Sequence, residues 1–252
     1  MLDLQRRGRV ALAAIDHGKV NAFDLELSAA ITRLVADFER SSDVALVITG
    51  QGMIFSAGVD LVRVVDRGEP YVREFLPALG AALEAVFACP KPIVAAVNGH
   101  AIAGGCILAC AADYRVMARG PGRIGIPELR VGVPFPIVPL EIMRFAAPAR
   151  VQALVYSGAV FEADEAVKQG MVDAAVEPDA LLEVAIAAAE GLAALPPSVF
   201  ELTKRQVRGP AMERIRDGEE VDREVVAAWS APETLATIRD YIARTFKKSS
   251  TF

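Results

Sequence analysis

The sequence predicts an α/β protein whose last third is almost entirely helical. Three observations carry that prediction. Short apolar runs rich in β-branched residues, at 10–15, 44–49, 93–97 and 114–118, have the length and composition of buried strands. Segments with apolar residues at helical spacing lie between them. Beyond Pro139 the strand signal nearly vanishes, and only 172–176 interrupts a series of helical stretches. At 252 residues the chain can bury a full core, and no linker-like composition divides it.

The elements follow in order. After the strand at 10–15 comes a loop, His17-Gly-Lys-Val-Asn-Ala22, and then Asp24, suited to cap a helix with Leu27, Ile31, Leu34 and Phe38 on one face. The run at 44–49 is continuously apolar, as expected of a strand buried on both faces. Residues 50–61 read as a turn-rich loop, 66–70 as a polar, mobile connection, and 71–87 as a long helix stopped by Cys89-Pro90-Lys91-Pro92. The strand at 93–97 breaks at Asn98-Gly99, and Ala103-Gly104-Gly105 opens a buried helix of Ala, Leu and Cys that ends at Asp113. Past the strand at 114–118 and a proline-rich stretch, helices are expected at 141–156, 162–169, 180–195, 198–208, 211–229 and 232–245.

Composition excludes several classes. Hydrophobic residues make up 53% of the chain, but many are alanine, and the most apolar segment, 92–113, is interrupted by Asn98, Gly99 and His100. Strand plus helix accounts for it better than a membrane span. A net charge of −5 with dispersed Lys and Arg leaves no nucleic-acid footprint. Three cysteines build no disulfide framework. Cys106 and Cys110 stand one turn apart, yet with His17 and His100 as the only histidines no full metal ligand set suggests itself. The first residues lack an apolar signal core, so a cytoplasmic protein is expected. A P-loop, a G-x-S-x-G elbow and a G-x-G-x-x-G fingerprint are all absent.

The glycine pair Gly104-Gly105 has two readings. The first N–H groups of a helix lack intrahelical partners and, with the helix dipole behind them, suit an anion or a developing oxyanion. The same glycines could serve only close packing of helix on strand.

Several segments, taken together and in order, resemble the crotonase superfamily of enoyl-CoA hydratases and isomerases. They are Val20-Asn-Ala-Phe23, Phe55-Ser-Ala-Gly-Val-Asp-Leu61, Pro92-Ile-Val-Ala-Ala-Val-Asn-Gly99, Ala103-Gly-Gly-Cys106, Asp113-Tyr-Arg115, Pro127-Glu128, and the stretch from Ser157 to Asp173. The resemblance implies a spiral core of ββα units, here 1–195, forming two nearly perpendicular sheets. It also implies a C-terminal helical region, 196–252, that mediates trimerisation, giving a homotrimer or a dimer of trimers. An acyl-CoA thioester is the implied substrate, with coenzyme A part of the substrate and no separate cofactor. No membrane or nucleic-acid partner is expected.

By matching positions, the N–H groups of Val59 and Gly104 would form an oxyanion hole. Ala57 and Asp60 would hold the adenine, Asn21 and Ala22 would lie along the pantetheine, and Tyr241 and Arg244 would reach the CoA of an adjacent subunit. Hydratases of the superfamily use two glutamates. Here the second is Glu128, while the first position holds Ile107. That pattern resembles the Δ3,Δ2-enoyl-CoA isomerases, in which one carboxylate moves a proton from C2 to C4. The expected activity is therefore double-bond isomerisation, with 2-enoyl-CoA hydration or weak acyl-CoA binding as alternatives. Read without the family, Glu128 is also ordinary helix-start chemistry after Pro127. His100 and Asp113 are expected to be structural, while Glu141, on the next helix, could supply a second carboxylate only in principle, since nothing in its spacing favours that.

Overall fold

Consecutive strands of this chain feed two different sheets, and that alternation generates the architecture. The computed structural model describes residues 1–249. An antiparallel hairpin, β1 (Leu2–Arg7) and β2 (Val10–Ile15), is followed by α1 (Leu25–Arg40). Three ββα units come next. They are β3 (Ala45–Gly50), β4 (Ile54–Ser56) and α2 (Leu61–Ala88); β5 (Ile93–Val97), β6 (His100–Ile102) and α3 (Gly104–Ala111); and β7 (Tyr114–Ala118), β8 (Ile124–Gly125) and α4 (Glu128–Val131). The chain continues through α5 (Ile137–Ala146), α6 (Val151–Ser157), β9 (Val160–Phe161), α7 (Ala163–Lys168), β10 (Ala174–Val176) and α8 (Leu181–Ala193). It then runs through α9 (Pro197–Arg216), α10 (Glu219–Ser230) and α11 (Pro232–Ser249).

The first strand of each unit joins a six-stranded sheet of order β1-β2-β3-β5-β7-β10, parallel from β2 onward. The second strand of each joins a four-stranded sheet of order β4-β6-β8-β9, in which β4, β6 and β8 run parallel. Alternating side chains of the large sheet enter two cores. Leu46, Ile48 and Ala95 face the main core with α1, α2 and α3, while Val47, Val94 and Val116 face α8 through Leu181, Ala185 and Ala189. Main-core residues from α9, α10 and α11, among them Ile215, Trp229 and Ile238, join the same cluster. No single helix among the described residues is long and apolar enough to cross a membrane.

Several boundaries differ from expectation. Residues 50–61 and 98–102 are not merely loops, because they hold β4 and β6, too short for alternation to register. The edge strand β1 was not expected from its polar sequence, five of whose six residues are exposed. The expected connection 66–70 holds a kink rather than a loop: a first helical segment of α2 starts at Leu61, capped by Asp60, and Gly68 at φ 63°, ψ −151° breaks it from the long segment that follows. The expected helix 141–156 is two helices parted around Pro148. Conversely, the expected break near Gly209-Pro210 is absent, and α9 ends only at Asp217-Gly218.

Candidate active site

Parallel strands β4, β6 and β8 lie side by side, and the three segments leaving their C-terminal ends carry the chemistry. Val59 follows β4 by three residues, Gly104 follows β6 by two, and Glu128 follows β8 by three. The pairing is direct, with Ile54 and Ser56 opposite His100 and Ala101, and Ala101 and Ile102 opposite Ile124 and Gly125.

At the β6 end the backbone makes an abrupt turn into α3. Ala103 sits at φ 50°, ψ −122°, a region costly for a residue with a side chain, and its N–H donates to Gly125 O at 2.8 Å. Close approach explains the glycines. A Cβ on Gly105 would lie 2.4 Å from Ser56 O, and one on Gly58 would lie 2.5 Å from Ile102 O and 3.3 Å from Gly104 N. The Gly58-Val59 loop therefore rests directly on the start of α3. Neither Val59 N–H nor Gly104 N–H donates to any protein acceptor among the described residues. The pair permits close packing, and among the described residues that packing leaves the Gly104 N–H, like the Val59 N–H, without a protein acceptor.

The β4 loop is itself tied down. The Ser56 hydroxyl donates to Asn21 O at 2.7 Å and accepts from Gly58 N–H at 3.2 Å. Ala57 N–H donates to Val20 O, and Phe23 pairs with Val59 in a parallel bridge. Asn21, at φ 52° and buried, turns its side chain inward, donating to Ile54 O and Phe55 O and accepting from His17 N–H. Its amide thus fastens the loop to β4, leaving main chain for any ligand. Ala22, Ala57 and Asp60 are half-buried neighbours along this seam. Asp60 caps α2 by accepting from Arg63 N–H at 3.0 Å, so its carboxylate is committed.

Glu128 is different. It opens α4, which closes with Gly132 in the left-handed conformation, the Gly132 and Val133 N–H groups both donating to Glu128 O. Its Oε2 is sealed from solvent and has no hydrogen-bond partner among the described residues. Burial pushes the carboxyl from 4.5 up to about 8, opposed only by its own backbone N–H. Cys106, beside Gly105, feels that carboxyl: burial and Cys110 raise the Cys106 thiol, and Glu128 raises it further. Glu128 and the α3 start thus follow neighbouring parallel strands, β8 and β6, at the same end of the small sheet.

Among the described residues, no second free carboxylate meets it there. Ile107, one turn into α3, is fully buried among apolar side chains. Glu141 is fully buried but ion-paired with Arg144 and, at 2.6 Å, with Arg214. Asp113 anchors the far end of α3, accepting from Ile93 N–H, Lys204 and Arg208. His100 is half-buried on β6. Tyr241 packs on the core of its own chain, and Arg244 is exposed with Nε donating to Asp240 O, so neither is placed beside a ligand by this single chain. The sequence reading missed Phe23 and Gly58. Their signal was adjacency: one follows Asn21-Ala22, and the other precedes Val59 in Ser56-Ala-Gly-Val59.

Two free N–H donors beside a carboxyl of raised pKa define a site that can hold a developing oxyanion while moving a proton. The two sheets of parallel strands with C-terminal helices are those of the crotonase fold. The enoyl-CoA hydratase/isomerase family model matches residues 5–236, and the chain belongs to that family. It is 33% identical over 224 residues to a carnitinyl-CoA dehydratase of Salmonella heidelberg, covering 86% of this chain and 84% of that one. The crystal structure of human mitochondrial Δ3-Δ2-enoyl-CoA isomerase superposes with a TM-score of 0.93 over 98% of both chains, at 24% identity. An enoyl-CoA hydratase from Mycobacterium ulcerans superposes at 0.81, with 28% identity, over 88% of this chain and 98% of that one.

Proposed function

We propose that the protein isomerises the double bond of a 3-enoyl-CoA to the 2-enoyl-CoA. The names of its relatives point to hydration, dehydration and isomerisation alike, so the side chains must decide. The observation that carries the reading is that, among the described residues, Glu128 is the uncommitted carboxyl at the strand ends, with Ile107 where a hydratase would hold a second glutamate. Hydration needs a water held and deprotonated while C2 is protonated, work suited to two carboxylates. Double-bond migration needs one.

In the proposed cycle the thioester oxygen accepts hydrogen bonds from Val59 N–H and Gly104 N–H. The Glu128 carboxylate removes a proton from C2, and the electron pair delocalises into a dienolate. The protonated Glu128 then returns the proton to C4, leaving the C2–C3 double bond and regenerating the carboxylate. Each N–H aimed at the oxyanion contributes about 3 kcal/mol to the transition state. The apolar wall at Ile107 helps keep water from intercepting the dienolate. Coenzyme A arrives and leaves with the substrate, lying along Asn21-Ala22 with its adenine near Ala57 and Asp60, and no separate cofactor is needed. The same reading makes this a cytoplasmic enzyme working as a homotrimer or a dimer of trimers, Tyr241 and Arg244 reaching a neighbour's CoA.

Incubation with 3-enoyl-CoA and, separately, 2-enoyl-CoA tests the proposal by product identification. Conversion of the first to 2-enoyl-CoA supports it. Accumulation of 3-hydroxyacyl-CoA from the second, without isomerisation, replaces it with hydration, and binding without either product leaves only an acyl-CoA-binding protein.

A further inference from the structure

Phe23 touches both halves of the donor pair without supplying any donor to it, and Asp24 follows it in the chain. The main chain of Phe23 grips the β4 loop on either side of Val59: Phe23 N–H donates to Gly58 O at 2.6 Å, and Asp60 N–H donates to Phe23 O at 2.9 Å. These two bonds fix the Val59 peptide and leave its own N–H facing away from the bridge. The ring of Phe23, fully buried, lies against the start of α3, where a Cβ added to Gly104 would sit 3.4 Å from Phe23 Cδ2. One residue thus spaces Val59 from Gly104, by hydrogen bonds on one side and ring packing on the other.

Asp24 holds Phe23 in place. Its Oδ1 accepts from Leu27 N–H at 2.8 Å, capping α1. Its Oδ2 lies 2.7 Å from His17 Nε2 and 3.2 Å from Arg63 Nη2. Burial pushes the Asp24 carboxyl up, but the Leu27 N–H, His17 and Arg63 outweigh it and hold the carboxyl low. Arg63 is the first-turn residue of α2 whose N–H Asp60 caps, and it also pairs with Glu26. Asp24 therefore ties together the loop before Phe23, the helix after it, and the helix that follows Val59.

We infer that Phe23 and Asp24 are positioning residues that set the separation and aim of the Val59 and Gly104 N–H donors, Phe23 by spanning them and Asp24 by clamping Phe23 to Arg63 and His17. The inference rests on the oxyanion-hole reading above. It predicts that altering either residue weakens polarisation of the thioester more than it weakens binding of the substrate.

The test combines steady-state kinetics with infrared difference spectroscopy of carbonyl-labelled 2-enoyl-CoA bound to the intact 252-residue chain. Phe23→Ala should lower kcat about a hundredfold, the scale of an ångström-sized misplacement. KM should stay within about threefold, and the lowering of the bound C=O frequency should shrink; Phe23→Leu, which restores most of the packing, should recover most of both. Asp24→Asn keeps the helix cap, because Asn caps as well as Asp, but loses the charge facing Arg63 and His17. It should lower kcat about tenfold with the same spectroscopic signature. If Phe23→Ala does not fold, Asp24→Asn decides. Variants that fold and keep the wild-type carbonyl shift and kcat, or that lose only KM, overturn the inference. Absence of any carbonyl shift in the wild-type complex instead overturns the oxyanion-hole reading beneath it.

Discussion

Replacing Glu128 by Gln tests the electrostatics of the site independently of the substrate. Burial lifts the Glu128 carboxyl from 4.5 to about 8, so the folded protein holds a proton there that the unfolded chain releases near pH 4.5. A carboxyl raised on folding contributes stability that is fully present below its unfolded value and is lost as pH rises through its folded value. The window is therefore pH 4.5 to 8, and the loss across it is of the order of 5 kcal/mol. Gln has nearly the same shape and cannot ionise, so the variant escapes that loss. For a chain of this size each kcal/mol moves the melting temperature by roughly 2–4 °C. Glu128→Gln should thus melt close to wild type at pH 4 and roughly 10 °C or more above it at pH 9. Activity must move the opposite way. The proton shuttle needs the carboxylate, so wild-type kcat/KM should rise from pH 6 to pH 9 with a midpoint near 8, while the variant stays inactive throughout yet retains CoA affinity. Melting curves by calorimetry and a pH–rate profile check both halves. A stability difference that does not change with pH would refute the buried, unpartnered carboxyl, and unchanged turnover in the variant would remove Glu128 from the mechanism.

Two further predictions concern the scaffold of the same site. Gly105→Ala forces a Cβ to within 2.4 Å of Ser56 O, a main-chain atom with no freedom to yield, whereas the corresponding contact at Gly104 is 3.4 Å from a ring edge. Gly105→Ala should therefore destabilise by about 1–3 kcal/mol, more than Gly104→Ala does, as urea melts of the pair would show. Asp113→Asn leaves Lys204 and Arg208, both buried and both bonded to that carboxylate, facing a neutral amide. Breaking a buried pair in this way costs about 3–5 kcal/mol, measurable by the same melts, and a variant as stable as wild type would show that the cluster contributes little.

How much of this was legible in the sequence depended on where the deciding interaction lies along the chain. The large sheet was readable because its buried strands are continuous apolar runs of five or six residues, and burial on both faces writes itself into each position. The small sheet was not, although it carries the site. Strands of two or three residues hold less than one full alternation, and β4, β6 and β8 exist because each follows a strand of the large sheet in a repeated unit. The glycines at 58, 104 and 105 were visible as glycines. That Gly58 presses on the start of α3 emerged only from the folded contact.

The helical third shows the same limit from the other side. Gly209-Pro210 has the local chemistry of a break, yet α9 continues through it. On its N-terminal side Arg208 is buried over Phe87 and bonds to Ala112 O and Asp113, and on its C-terminal side Ala211 and Ile215 enter the core. Contacts on both flanks outweigh the lost hydrogen bond, as tertiary packing commonly overrides propensity. Arg208 and Lys204 converge on Asp113, just past the far end of the α3 helix that presents Gly104. The residues that defeat the expected break therefore also brace the helix whose first N–H completes the donor pair. The C-terminal region is thus tied to the chemistry through α3 as well as through any contact it makes with a neighbouring subunit.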